Sequence, residues 1–265
     1  MDHITYSTTK RTILLLASCL LTIFVTQVPN ISLGQTVATL EIKSGVSASF
    51  RGLSVVDDSV AWLGGTNGTV GVSVNGGAHW KWNRVKGCEK CDFRSIFAFD
   101  DRSAAIANAG TPAVIFVTHD GGAHWKETYR LNDTNAFIDG ITFTESGAGI
   151  AYGDPLNGRL LVLTSSDNGE SWITLPTDYR PEMQAGEASF AASGTCVYMF
   201  SKQHWIIATG GKVSSLLETK NSGRSWQRIN TPILQGKNST GIFSFYASSK
   251  KNWLIVGGDY KQDTI

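Results

Sequence analysis

The chain has 265 residues, 17% of them charged, and a formal net charge of +1 at pH 7. With charges so nearly balanced and no Lys/Arg cluster, nothing in the sequence would attract nucleic acid or an anionic membrane surface. We therefore expect no nucleic-acid partner. The 28 glycines and the 42% hydrophobic content suit an extracellular β protein rich in turns.

Residues 1–34 differ in character from the rest of the chain. Lys10 and Arg11 precede the apolar stretch 12–25, and small residues stand three and one positions before Gln35. This order is typical of a secretory signal peptide, which we predict to be cleaved before Gln35. The apolar stretch is shorter than the roughly twenty residues of a membrane helix, and no second such stretch follows. We expect an exported protein, periplasmic or extracellular, with no transmembrane span in its mature chain.

A lipoprotein signal is the competing interpretation of the same segment. The residues Leu16-Ala17-Ser18-Cys19 fit a lipobox. A lipid-modified cysteine normally ends the apolar region, whereas here apolar residues continue well past Cys19. Export without lipidation at Cys19 is therefore the favoured interpretation.

Four copies of one short pattern, Ser/Thr-x-Asp/Asn-x-Gly-x-x-Trp, follow in the remaining sequence. The copies are Ser73–Trp80, Thr118–Trp125, Ser165–Trp172 and Thr219–Trp226. A period of roughly 45 to 54 residues indicates an array of small supersecondary units. Repetition around an axis keeps the four Asp/Asn residues apart, so we interpret the pattern as a folding device and not as a ligand site.

Each copy is flanked by β-prone runs, which is typical of a hairpin. Asp or Asn can accept hydrogen bonds from N–H groups of the turn, and glycine adopts positive φ without steric cost. The tryptophan begins the returning strand, and its ring can fold under the turn. We expect Trp80, Trp125, Trp172 and Trp226 all to be buried.

Aligning the tryptophans divides the chain into units of four strands. The predicted innermost strands of the first four units are Phe50–Val56, Phe93–Phe99, Ile138–Thr144 and Glu187–Ala192. A fifth unit begins at Gly241–Tyr246 and Trp253–Gly257 and stops at Ile265 before a third strand. Such an array predicts an all-β fold, a β-propeller of four-stranded blades.

One strand, Val37–Ile42, precedes the first unit and has no repeat of its own. Propellers close when an N-terminal strand completes the last blade, which removes an exposed sheet edge. We therefore expect residues 35–265 to form one propeller domain of about four and a half blades. It would be incomplete at its C-terminus and truncated from a parent of seven blades.

The repeated pattern resembles the Asp-box, or BNR repeat, in all four copies. Asp-boxes occur in sialidases, sortilin-type receptors, carbohydrate-active enzymes and photosystem II assembly-factor-like proteins. The resemblance implies that the box joins the two outer strands of a blade, away from the central axis where ligands bind.

A second resemblance extends beyond the boxes. The segments Phe50–Val55, Gly153–Pro155, Gly186–Thr195 and Val256–Asp259 are similar to exported bacterial propellers related to the photosystem II assembly-factor family. Members often carry an oxidoreductase or glycosyl-hydrolase label with no cofactor motif behind it. This sequence likewise has no dinucleotide fingerprint of the Gly-x-Gly-x-x-Gly kind, so we expect no cofactor.

The candidate site comes from the innermost strands. The residues that fall at one equivalent position are Arg51, Arg94, Asp139 and Glu187. Because strand starts beside the axis point into the central channel, we expect these side chains to form a ring of two cations and two anions. The ring is either a self-neutralising set of salt bridges or a polar ligand site.

These features favour a secreted β-propeller that acts as a binding or assembly scaffold, with a protein or carbohydrate partner at the channel. The alternative is a glycoside-active, sialidase-like hydrolase that uses Asp139 or Glu187 as acid or nucleophile. Arg51 and Arg94 could supply two arginines of a sialidase triad, but the usual Phe/Tyr-Arg-Ile-Pro start is absent. A further alternative is an enzyme that is labelled an oxidoreductase but has no recognisable cofactor motif.

The cysteines and histidines offer little chemistry. Cys88 and Cys91 form a C-x-x-C that could be redox-active, a loop disulfide or half of a zinc site. An inert local disulfide is favoured, because no helix is evident that would lower a thiol pKa. His79 and His124 precede box tryptophans and are expected to face solvent, so we predict no metal site.

Overall fold

The computed structural model describes residues 44–192 and 194–262, and this part of the chain is an all-β propeller. It contains five antiparallel sheets of four strands each, the blades. The predicted signal peptide at 1–34 and the predicted strand at 37–42 lie outside the described residues. Among the described residues no helix is long and apolar enough to cross a membrane.

The first three blades each use four consecutive strands, ordered from the axis outward. Blade one consists of β1 (Phe50–Val55), β2 (Ala61–Gly65), β3 (Thr69–Ser73) and β4 (Lys81–Arg84). Blade two consists of β5 (Phe93–Ala98), β6 (Ala104–Asn108), β7 (Ala113–Thr118) and β8 (Lys126–Leu131). Blade three consists of β9 (Gly140–Phe143), β10 (Gly149–Leu156), β11 (Arg159–Ser165) and β12 (Ile173–Thr174).

The last two blades interleave along the chain. A short 3₁₀ helix at Thr177–Tyr179 leads into them. Blade four consists of β14 (Val197–Ser201), β15 (His204–Ala208), β17 (Ser215–Thr219) and β18 (Gln227–Asn230). Blade five consists of β13 (Glu187–Ala188), β16 (Gly210–Gly211), β19 (Thr240–Ala247) and β20 (Trp253–Asp259).

Blades four and five correct two predictions. The innermost strand of blade four is Val197–Ser201 and not Glu187–Ala192, because Val197 and Met199 alternate into the core whereas only Glu187 and Ala188 form a strand in the predicted range. The fifth unit, predicted as half a blade, has its two long strands, β19 and β20. The two-residue strands β13 and β16 extend its sheet to four strands. The sequence alignment missed this exchange because two-residue strands have no periodicity to detect.

The four repeats form the turns that the sequence predicts. In each, the glycine N–H donates to the hydroxyl of the first Ser/Thr (2.9–3.2 Å), and the N–H before the tryptophan donates to Oδ1 of the Asp/Asn (2.9–3.0 Å). The pattern's glycine has a positive φ in every copy, between 76° and 84°. The repeat turns thus satisfy their own backbone donors, which supports the structural interpretation of the pattern.

The expectation that all four repeat tryptophans are buried is wrong. Each is only half-buried, because its ring folds back over the turn at the outer edge of the blade. In three copies Nε1 donates to the carbonyl of the turn glycine, at 2.9–3.1 Å. The fully buried tryptophans are Trp62 and Trp205 on the second strands, and each meets a repeat tryptophan, Trp125 or Trp226, edge to face.

Cys88 and Cys91 form a disulfide in the connection between blades one and two. Both are buried and belong to the apolar cluster between these blades. The local disulfide predicted for the C-x-x-C pair is therefore present, and its inertness stays a prediction. Cys196 is the free cysteine of the described chain and is buried in the cluster between blades three, four and five.

Candidate functional site

Three strands carry a β-bulge at the same place of their hairpin, near the axis: the innermost strands of blades one and two, and β19, the first long strand of blade five. The register shifts between Phe50 and Gly52 in β1, between Phe93 and Ser95 in β5, and between Ile242 and Ser244 in β19. The bulged residues are Arg51, Arg94 and Phe243. Because a bulge turns its extra residue out of the ladder, the three side chains point to a common space.

That common space is a cavity of about 730 Å³. Its lining residues are Arg51, Arg94, Phe190, Ala191, Ala192, Phe243 and Tyr260. The three aromatic rings form one group, with ring centroids 5.3 Å (Phe190–Phe243), 6.1 Å (Phe190–Tyr260) and 6.3 Å (Phe243–Tyr260) apart. We call this space the axial cavity; it combines two guanidinium groups with an apolar, aromatic wall.

The two arginines of the axial cavity differ in their partners. Arg94 Nε donates to Asp92 Oδ2 at 2.7 Å, and its Nη1 donates to the carbonyl of Ala191 at 3.4 Å. Arg51 is exposed and makes no hydrogen bond or ion pair with any described residue. Arg94 is therefore paired with a carboxylate, whereas the positive charge of Arg51 is not compensated by any residue that the structure describes.

Asp139, the predicted third member of the ring, is buried and lies close enough to Arg94 for the charges to interact. Its side chain is 1% exposed, and Oδ2 has no hydrogen-bond partner among the described residues. Burial raises the pKa of Asp139 well above its ordinary value; the charge of Asp154 adds to this, and Arg94 opposes it. Such a carboxyl favours its neutral form.

Asp154, from the Gly153-Asp154-Pro155 segment of β10, is the second carboxyl of this region. Burial raises its pKa, although the Ser189 N–H, which donates to Asp154 Oδ1 at 3.1 Å, lowers it. Tyr152 lies beside the pair, with its ring against Gly140, where a side chain would have no room. Burial and the charges of Cys196, Asp139 and Asp154 raise the pKa of Tyr152.

Unpartnered polar atoms concentrate around these carboxyls. The described residues contain eight buried side-chain polar atoms without a hydrogen-bond partner. Four of them belong to residues that interact with Arg94, Asp139 or Asp154: Asp92 Oδ1, Asp139 Oδ2, Tyr152 Oη and Ser189 Oγ. Unpartnered buried groups are rare and cost stability, so their concentration around residues that interact with Arg94 of the axial cavity is typical of a functional site.

Glu187, the predicted fourth member of the ring, lies elsewhere. Its buried carboxylate accepts hydrogen bonds from Arg228, from Thr209 Oγ1 (2.6 Å) and from the Gln184 N–H (2.9 Å). The inner-strand position predicted for it is occupied by Thr195, two residues before Val197, as Arg51 is two residues before Leu53. The four predicted residues therefore do not form one ring: Arg51 and Arg94 share the cavity, Asp139 lies behind it and Glu187 lies in blade five.

Two parts of the site were missed by sequence reasoning. Phe243 occupies the axial position of blade five, and its signal was available in the alignment of Gly241–Tyr246 with the other inner strands. Phe190 and Tyr260 come from connecting segments whose course only the tertiary structure shows. Among the described residues no group of three or more His, Cys, Asp and Glu side chains is arranged to hold a metal ion.

Replacing the buried carboxyl with an amide, Asp139→Asn, is expected to flatten the dependence of stability on pH. Because folding raises the pKa of Asp139, the wild type takes up a proton on folding above about pH 4. Its free energy of unfolding therefore falls by up to about 1.4 kcal/mol per pH unit as the pH rises, until the pH reaches the folded-state pKa. The variant should therefore be more stable than the wild type at pH 7, with a difference that shrinks toward pH 4. Urea unfolding across this range measures it, with Asp178→Asn on the exposed surface as control. A difference that is constant with pH would contradict the raised pKa.

Comparison with known proteins adds a fold-level likeness. No protein-family model matches the sequence, and no curated protein matches it. The GH74 xyloglucanase from Xanthomonas campestris is similar in structure with a TM-score of 0.50 at 15% identity, over 74% of this chain and 33% of that chain. YCF48 from Cyanidioschyzon merolae has a TM-score of 0.48 at 17% identity, over 80% of each chain. A YCF48 bound to D1 peptide has a TM-score of 0.42 at 13% identity, over 82% of this chain and 91% of that chain. Identities this low carry no function across, so the conclusion concerns the fold: the chain is an all-β propeller.

Proposed function

We propose that this chain is an exported β-propeller that acts as a binding scaffold, and that its axial cavity receives an anionic group of a protein or carbohydrate partner. The observation that carries the proposal is Arg51, a guanidinium that has no partner among the described residues, at a cavity whose wall, Arg94 aside, is aromatic and apolar. Ligand cavities of about 300–1,000 Å³ with few polar groups on an apolar wall are typical of binding sites. The axial cavity falls in this range.

The cavity's chemistry selects the kind of group it receives. A guanidinium binds a carboxylate through charge-assisted hydrogen bonds, which are about twice as strong as neutral ones. The ring group of Phe190, Phe243 and Tyr260 favours an aromatic or aliphatic body next to that charge. We therefore infer a ligand that carries a carboxylate beside an apolar or ring-shaped part.

Export is part of the same proposal. It is supported by the order of basic, apolar and small residues in 1–34 and by the Cys88–Cys91 disulfide, since such bonds persist in oxidising compartments. The repeat turns, which resemble the Asp-box, lie at the outer strands of the blades and leave the axis free for a ligand. Detection of the mature N-terminus at Gln35 in an envelope or culture fraction would test this part.

Arg51→Gln is expected to weaken binding of N-acetylphenylalanine, a probe that has a carboxylate beside a ring, by about tenfold. The loss corresponds to one charge-assisted hydrogen bond of about 1.4 kcal/mol. Isothermal titration or ligand-observed NMR would measure it, with N-acetylphenylalaninamide as the uncharged probe. The matched control is Arg84→Gln, on the outer strand of the same blade. Equal binding of acid and amide, or unchanged binding by Arg51→Gln, would remove the anion site.

A glycoside-active enzyme is the second candidate, and the Asp139–Asp154 pair favours it. Burial raises the pKa of both carboxyls, and glycoside hydrolysis uses a carboxyl of raised pKa as acid together with a second carboxyl as nucleophile or base. Asp139 is 1% exposed, however, so a sugar can reach it only if the residues that cover it move. Release of nitrophenol from aryl glycosides or sialosides by the wild type, and its loss in Asp154→Asn, would support the enzyme. If the wild type releases no nitrophenol, this candidate is wrong and the binding scaffold remains.

A further inference from the structure

The first and the last blade each present an uncovered apolar face. On blade one, Leu53 and Val55 of β1 are 58% and 63% exposed. On blade five, Leu254 and Val256 of β20 are 61% and 55% exposed, and Tyr246 opposite Leu254 is exposed as well. We call these the front face (Leu53, Val55) and the rear face (Tyr246, Leu254, Val256).

The positions of the front face are buried in every other blade. All five first hairpins have the same register, so their residues can be matched one to one. The residues that match Leu53 are Ile96, Ile141, Val197 and Phe245, and all are buried. The residues that match Val55 are Ala98, Phe143, Met199 and Ala247, and all are buried as well. In each case the preceding blade provides the cover, and blade one has no preceding blade among the described residues.

The positions of the rear face are also buried in every other blade, where the following blade covers them. The residues that match Leu254 are Trp62, Ala105, Ile150 and Ile206, and each is fully buried under the following blade. The residues that match Val256 are Gly64, Ala107, Tyr152 and Ala208, all buried. The front and rear faces are therefore the two halves of the interface that already occurs four times between consecutive blades.

The hairpins beside these faces carry opposite charge. At the front face, the β1–β2 hairpin has Asp57 and Asp58; at the rear face, the β19–β20 hairpin has Lys250 and Lys251. Hairpins of consecutive blades lie next to each other inside the chain: the Ala98 N–H donates to Ser54 Oγ at 2.9 Å, and Trp62 Nε1 donates to the carbonyl of Asp100 at 2.9 Å. A rear face packed on a front face would thus place two lysines beside two aspartates.

We propose that a second copy of this chain covers these faces, the rear face of one copy packing on the front face of the next. Each copy supplies both halves of a blade-to-blade interface, with matched apolar positions and opposite charges. Contacts between two like faces are disfavoured, because they would bring aspartates to aspartates or lysines to lysines. A head-to-tail contact of this kind gives either a closed ring or an open-ended assembly.

The test is the association state of the chain, measured by sedimentation velocity and light scattering over a range of concentration and salt. The wild type should show a mass that rises with concentration above that of one chain and falls with salt. Leu53→Asp and Leu254→Asp should each weaken self-association at least tenfold, because each buries an unpaired charge in the contact. Both sites are exposed in the single chain, so folding, checked by circular dichroism, should be unchanged. Ile173→Asp, at an exposed apolar residue of β12 outside both faces, is the matched control.

Mixing the two variants decides the arrangement. Leu53→Asp keeps its rear face and Leu254→Asp keeps its front face, so an equimolar mixture should form a dimer that neither variant forms alone. Three results would overturn the proposal: a wild type with the mass of one chain at every concentration, variants that associate like the wild type, or a mixture that remains monomeric. The first of these would mean that another molecule, or a closure within one chain, covers the faces.

Discussion

Trp205→Ala is expected to lower the free energy of unfolding by about 3–5 kcal/mol, the range for large aromatic truncations in a core. The ring is 2% exposed, packs edge to face on Trp226 at 6.1 Å, and lies against Gly223. Its Nε1 donates to the carbonyl of Lys202 at 3.0 Å, a bond that alanine also removes. Guanidinium unfolding followed by circular dichroism would measure the loss as a lower midpoint at unchanged slope.

The matched control is Trp80→Ala, in the turn of blade one. Trp80 is half-buried and stacks on Trp82 at 5.5 Å, so its removal uncovers less apolar area and should cost about 1–2 kcal/mol. The comparison separates the tryptophans that fill the space between blades from those that close a turn. Equal losses at Trp205 and Trp80 would contradict this division of roles.

Arg228→Met is expected to lower the free energy of unfolding by about 3 kcal/mol, because it leaves the buried carboxylate of Glu187 without its cation. The Glu187 side chain has no exposed surface, whereas Arg228 is 22% exposed. Arg228 also donates to Ser215 Oγ and to the carbonyl of Glu182, both at 3.0 Å. This one side chain therefore ties the long connection before blade four to the outer strand of that blade.

A double-mutant cycle tests the buried ion pair. Glu187→Gln together with Arg228→Met should be more stable than Arg228→Met alone, because the amide can keep the bond to Thr209 without a buried charge. Arg224→Met, at an exposed arginine of the neighbouring turn, should stay within about 0.5 kcal/mol of the wild type. If the double variant is less stable than Arg228→Met by the full cost of Glu187→Gln alone, the two residues are not coupled and the ion pair does not stabilise this connection.

The repeated features of this protein could be predicted from its sequence because each depends on local chemistry. In the turn Ser73–Trp80 the hydroxyl, the amide oxygen, the positive-φ glycine and the tryptophan all act within eight residues, so the same letters give the same turn four times. The disulfide between Cys88 and Cys91 is local in the same sense. From such units the all-β fold, the blades and the axial placement of Arg51 and Arg94 follow, since their strands repeat one register.

Non-repeated features were decided by the tertiary structure. Glu187 fits the alignment as a member of the ring, but a buried carboxylate goes where a cation and donors can satisfy it, and Arg228 and Thr209 provide them in another part of the fold. Asp139, predicted to pair with the arginines, is instead a buried carboxyl near Asp154; Asp139 directly precedes β9, whereas Asp154 lies on β10. The aromatic wall of the axial cavity likewise joins Phe190, Phe243 and Tyr260 across long stretches of chain. The sequence by itself thus determined what each blade is, because a blade is built from local hydrogen bonds and strand periodicity. Only the tertiary structure decided what meets at the axis, because burial and charge pairing there depend on contacts between residues distant along the chain.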